Sequence, residues 1–184
     1  MPQTEDSLEL LFGGKKTTKC FRFPAHAVGE LEKEARRKAI SLNSLMNTLI
    51  MTYLKWGRFV DRNGGLSFYE TSFSALVNAI DDVSVFEKAG SEAGLKTPRR
   101  LLLMLGLSPT KEVVMRLVDM ICEHSISYGY VHKTIEGKHH FLLTHNLGVK
   151  WSKWFGSYLR SMFKDLLNLS IQVREDDDSV SFTV

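Results

Sequence analysis

Side chains able to read or grip a polyanion gather in one short stretch, Lys15-Lys16-Thr17-Thr18-Lys19-Cys20-Phe21-Arg22-Phe23-Pro24. Its alternation is that of a strand, whose successive side chains point to opposite faces. Phe21 and Phe23 share one face, directed at the helices that follow. Thr18, Cys20 and Arg22 share the other and point outward. An arginine can hold guanine with two hydrogen bonds, and a threonine can reach a base or a thymine methyl. Cys20 is an odd reader, because a thiol is a weak donor. Lys19 is expected at the fraying end of the strand, reaching a phosphate. Lys15 and Lys16 follow a Gly13-Gly14 hinge and can track a phosphate backbone.

Histidine is the second chemical signal. Five of the six histidines lie between His124 and His145. A two-residue turn at Glu136-Gly137 would pair Thr134 with His139 and His132 with Phe141. His132 and His139 then become diagonal neighbours on one sheet face, within reach of each other. His145 lies on that face at its far end, opposite Tyr128. Two histidines without a third convergent ligand make a weak metal site, so polar or aromatic packing is the preferred reading and no cofactor is implied. Enzyme signatures are missing: the chain has no glycine-rich phosphate loop, nucleophile elbow or paired-carboxylate motif. Cys122 and His124 are two positions apart on a helix and do not face each other. The chain is therefore expected not to be an enzyme.

The elements that would hold the first cluster are a strand and two short helices. The first helix starts near Pro24-Ala25, with Val28, Leu31, Ala35 and the stem of Lys38 on its inner face. The second is capped by Ser41 and turns Leu45, Leu49, Ile50, Tyr53 and Leu54 inward, with Leu42 and Met46 toward a partner copy. Only Ile40-Ser41 joins them. Such a unit is smaller than the roughly 60 residues at which a domain is marginally stable alone. A lone strand also leaves backbone groups unpaired. Pairing two copies strand to strand would solve both problems.

Phe21-Arg22-Phe23-Pro24 entering a helix, then Leu31 and Ala35, then Ile40-Ser41-Leu42-Asn43-Ser44-Leu45-Met46, resembles the ribbon-helix-helix DNA-binding family, which includes the methionine and Arc repressors. The resemblance covers about forty residues. It implies an intertwined β-α-α homodimer whose two-stranded antiparallel ribbon enters the major groove of double-stranded DNA. It also implies that the second helix's N-terminus takes a phosphate on its free N–H groups. Here those are the Ser41, Leu42 and Asn43 amides, with the Asn43 and Ser44 side chains beside them. Lys19 departs from the family, which usually places an apolar residue there. The function implied is a transcriptional regulator of the repressor kind. The competing reading is a protein-interaction module, antitoxin-like or an assembly factor, in which this unit only dimerises.

Composition permits these readings. The 184 residues carry a net charge of +3 and are 43% hydrophobic. The longest apolar run, Leu101 to Leu107, is far below the roughly 20 residues a bilayer span needs. No signal peptide is visible and two cysteines make no disulfide framework, which fits a cytoplasmic protein without membrane contact. The expected organisation is a flexible arm at 1–14, the dimerising unit at 15–57, a linker at 58–65 and an α+β domain at 66–184. In that domain the pattern predicts a helix from Tyr69 to Ile80 and a shorter one from Val83 ending at Gly90 or Gly94. Lys96 to Arg100 is then a break, and Leu101–Leu107 a buried strand or helix. Ser108-Pro109 opens a helix through Ile121. A hairpin, a long helix capped by Asn146 and a second hairpin closing at Val184 complete a small antiparallel sheet with helices on one face. Tyr128, Tyr130, Phe141 and Leu143, with Trp151 and Trp154, would form core or line an effector pocket, so a small-molecule or protein effector is an expected partner of this half.

Overall fold

The computed structural model describes residues 16–63, 68–124 and 129–184. It forms two compact units that divide between Gly65 and Leu66.

The first unit is helical. Helix α1 spans Ala25–Arg37 and α2 spans Leu42–Thr52. A π-helical turn, Tyr53–Gly57, and a short α3, Arg58–Asn63, continue the chain. Pro24 fixes the start of α1, its carbonyl accepting from the Ala27 and Val28 amides at 3.0 and 3.2 Å. Proline suits that place because its φ is preset and it needs no donor there. Pairs one turn apart, Glu30–Lys33 and Glu34–Arg37, lie along the wet face of α1. Ala39 then adopts φ +54°, and the Ile40 amide closes onto the Ala35 carbonyl at 3.0 Å. The stretch expected as a linker from residue 58 thus holds a helix.

The ribbon-helix-helix start is not seen. Residues 16–24 form no strand, and the first regular element of the described residues is α1. The strands of the described residues all lie between Gly129 and Thr183. The physical reason is simple. A strand exists by hydrogen bonding to a neighbour, and no strand of the described residues pairs with residues 18–23. Phe21 and Phe23 consequently stay in water instead of packing under the helices.

The second unit contains α4 (Glu70–Asn78), α5 (Val83–Leu105), α6 (Lys111–His124), β1 (Gly129–Ile135), β2 (Lys138–Thr144), α7 (Gly148–Leu167), β3 (Val173–Glu175) and β4 (Ser179–Thr183). The four strands are antiparallel in the order β1-β2-β4-β3. Phe141 and Leu143 of β2 and Val180 and Phe182 of β4 turn inward and are buried. Helix α7 contributes Phe155, Tyr158, Leu159, Met162 and Phe163 to the same core. The small antiparallel sheet expected for this half is present.

Helix α5 corrects the expected break. It runs unbroken through Gly90, Gly94 and Pro98. The glycines are points of contact with α7: a Cβ on Gly90 would stand 2.0 Å from the Trp154 carbonyl oxygen, and one on Gly94 2.3 Å from that of Tyr158. Pro98 removes one helical hydrogen bond, the one to Gly94, a loss that tertiary packing must offset. Its ring is fully buried. Arg99 then holds Asp165 of α7 with two bonds of 2.5 and 2.7 Å. The helix stops at Gly106, φ +66°, where the Leu107 amide closes onto the Leu102 carbonyl.

Candidate functional site

Two sets of residues carry chemistry, one in each unit. In the first, Lys16, Thr18, Lys19, Cys20 and Arg22 are all exposed along the extended segment before α1. Lys15 lies outside the described residues. Ser41 caps α2, its hydroxyl accepting the Ser44 amide at 3.0 Å and sharing a 2.8 Å bond with the Ser44 hydroxyl. Both hydroxyls are thereby engaged with each other. Asn43 is exposed beside them and Leu42 is half-buried. The helix start they form has the positive end of a backbone dipole, which favours anions.

Charge is concentrated here. Residues 15–63 contain eleven Lys and Arg against four Asp and Glu, a net of +7, while the whole chain is only +3. The rest of the sequence therefore carries −4. Few apolar side chains are buried here. Among the described residues of this unit only Ala35, Leu45 and Phe59 are fully buried. Phe21 and Phe23 are 69% and 48% exposed, and Leu49, Ile50 and Tyr53, expected on an inner face, are 46%, 44% and 55% exposed.

The second set joins α6 to the first hairpin. Glu136 and Gly137 have φ of +49° and +75°, the twist a two-residue hairpin turn demands. That turn fixes the register, and Thr134 pairs with His139 and His132 with Phe141 as expected. The His132 ring stacks on Phe141 at 4.1 Å between centroids. Its Nε2 meets His139 Nδ1 at 2.9 Å. Its Nδ1 lies 2.7 Å from Asp119 Oδ1, which also accepts the Tyr130 hydroxyl at 2.5 Å. Asp119 is buried on α6 and touches Arg116 at 3.4 Å. Sequence reasoning missed Asp119. The signal was present, since it is an acid inside the otherwise apolar run Leu117-Val118-Asp119-Met120-Ile121. Burial together with the bond to Asp119 pushes the Tyr130 phenol far above its ordinary range. Burial, then the charge of His132, holds His139 below the ordinary histidine value. Among the described residues no group of three or more His, Cys, Asp or Glu converges as a metal site.

His145 is withdrawn from that cluster and fully buried. Its Nδ1 accepts the Leu147 amide at 3.2 Å, which leaves Nε2–H to donate to Ser152 Oγ at 2.9 Å. Ser152 passes its own proton to the Asp176 carbonyl at 2.5 Å. This chain ties the start of α7 to the turn between β3 and β4, and it replaces the Asn146 cap expected there. Burial lowers the His145 pKa, in keeping with a neutral ring. Cys122 is buried as well, which pushes its thiol far above the range of a nucleophile.

Of the aromatic set expected to form core or line an effector pocket, Tyr130 and Trp154 are half-buried. Phe141, Leu143 and Trp151 are buried, and Trp151 and Trp154 stack at 4.5 Å. Tyr128 lies outside the described residues. An open cleft of about 740 Å³ sits instead beside the end of α7, between Leu95, Lys164 and Ile171. Asp165 there is held by Arg99 and Arg160 by Glu175, while Lys164 donates to the neutral Asn168 amide oxygen at 2.7 Å. No helix among the described residues is long and apolar enough to cross a membrane. Comparison with protein-family models, with curated proteins and with solved structures finds no match for this chain.

Proposed function

We propose that this chain is a homodimeric, sequence-specific DNA-binding regulator of transcription, working in the cytoplasm, with its first unit as the reader. The observation that carries the reading is the make-up of residues 15–63: a net charge of +7 beside apolar side chains that one copy leaves in water. Positive charge without a matching set of acids is the electrostatic footprint of a polyanion partner. The exposed Phe21, Phe23, Leu49, Ile50 and Tyr53 give a second copy something to bury. Arg22, Thr18 and Cys20 then supply contacts to bases, while Lys15, Lys16, Lys19 and the start of α2 at Ser41–Ser44 take phosphates. The second unit is the site for an effector or a partner.

Binding to random duplex DNA over a series of salt concentrations tests this directly. Neutralised phosphates release counterions, so affinity should fall steeply as salt rises. Negligible binding with no salt dependence would reverse the conclusion in favour of a protein-interaction module. Arg22→Ala refines the test on a selected duplex. It should weaken specific binding by about 1–3 kcal/mol per half-site, the worth of a lost base contact. Folding should be untouched, because the Arg22 side chain is exposed and outside any helix.

A further inference from the structure

The second unit contains a device that the DNA-binding reading does not use. The two histidine rings of the hairpin meet head-on. Their centroids are 5.1 Å apart and the facing nitrogens 2.9 Å. The difference is about two ring radii, so each nitrogen points at the other. Two metal ligands would instead aim their lone pairs at a shared third point. A head-on contact of this length needs one proton between the nitrogens, with a donor on one side and an acceptor on the other.

Counting protons shows what the arrangement permits. With one proton on each ring, His132 Nδ1–H donates to Asp119 and His139 Nδ1–H donates to His132 Nε2. Adding one proton to the pair is tolerated: His132 donates from both nitrogens, to Asp119 and to His139 Nδ1, while His139 keeps its proton on Nε2. Adding a second proton leaves N–H facing N–H at 2.9 Å, and the contact cannot persist. We propose that His132 and His139, with Asp119 orienting the first ring, form a single-proton latch that ties the edge strand β1 to β2 and opens when both rings become charged.

The surroundings sharpen the threshold. From α6, Lys111, Glu112, Arg116 and Asp119 face the pair; from the sheet, Tyr130 and Thr134 do. Lys111 and Arg116 oppose a second charge on His139, and Asp119 favours it. Burial, the largest influence, also opposes it. His139 therefore binds its proton less readily in the folded chain than in the unfolded one. The latch is fully closed above the ordinary histidine value near 6.5 and is lost as the pH falls below it. Strand β1 is the element this frees. It sits at the sheet edge and is bonded to β2 alone, so repulsion between the rings acts on its one strand pairing, while Tyr130 and His132 keep their bonds to Asp119.

The experiment is a pH titration of the full-length chain from 8 to 4, following the imidazole resonances of His132 and His139 and the exchange of β1 amides. The expected result is two linked protonation steps, with the second below 6.5. Protection of the β1 amides should drop about tenfold or more through that second step, the scale of losing one charged hydrogen bond. Strands β3 and β4 should not follow it. His139→Gln keeps a polar side chain and removes the second charge. In that variant β1 protection should no longer change between pH 7 and 5. Independent titration of the two rings would overturn the proposal, and so would unchanged pH sensitivity of β1 in His139→Gln.

Discussion

Gly29 and Gly90 are both helical, yet a single added methyl group should act oppositely at the two. Nothing lies within 4 Å of a Cβ built on Gly29. Alanine there restricts the unfolded chain and favours the helix, so Gly29→Ala should stabilise by about 0.5–1 kcal/mol. A Cβ on Gly90 would stand 2.0 Å from the Trp154 carbonyl oxygen and 2.8 Å from its carbon, both backbone atoms. Backbone cannot swing aside as a side chain does, so α5 and α7 must separate. Gly90→Ala should cost about 1–3 kcal/mol or more by that overpacking. Urea unfolding of the two variants beside the parent decides it, and a Gly90→Ala chain as stable as the parent would mean the two helices are not in such close contact. Glycine types alone could not distinguish these roles. In sequence, Gly90 and Gly94 look like helix stops; only the neighbouring α7 makes them contacts. The buried acid Asp119 is the opposite case, a residue whose apolar flanks already mark it as needing partners inside.

At the scale of elements, Ala39 is a position where sequence and backbone disagree. It takes φ +54° between α1 and α2, a region that costs a residue with a Cβ about 1 kcal/mol and costs glycine almost nothing. Ala39→Gly should therefore stabilise the first unit by up to about 1 kcal/mol, read as a higher urea midpoint of its helical signal. No gain would imply that the turn relaxes differently from the backbone seen here. Elements whose cause is local were legible. Ser41 capping α2, Pro24 opening α1 and the Glu136-Gly137 turn were each readable, and the turn carried the whole β1–β2 register with it. The meeting of His132 with His139 followed from that register. Elements whose cause is distant were not legible. Helix α5 continues past Pro98 because its face is buried against α7. His145, three residues before α7, leaves the hairpin face to bond Ser152. The strand expected at residues 18–23 failed for the same kind of reason, since no strand of the described residues pairs with it.

On the scale of the whole molecule, the two units differ in how much apolar side chain they bury. The second buries side chains from Val77 to Phe182, and its Glu175 carboxylate is held between Lys153 and Arg160. The first buries three described side chains completely and leaves six large apolar ones exposed. Burial of apolar surface contributes roughly 25 cal/mol per Å², so a unit with so little of it gains most from a second copy. Association is linked to folding by mass action, and each tenfold rise in concentration adds about 1.4 kcal/mol to the associated state. The two units should therefore respond differently when the protein is diluted. Amide protection across α1 and α2 should rise with protein concentration over a hundredfold range, while protection in α5 and α7 stays constant. Hydrogen exchange read segment by segment resolves the two in one sample. Protection of α1 and α2 that is indifferent to concentration would show that this unit is stable as a single copy, and the case for a dimeric reader would lose its physical basis. Salt offers an internal check, because like charge on two copies of residues 15–63 repels: adding salt should raise α1 and α2 protection without DNA, yet weaken the binding of DNA itself.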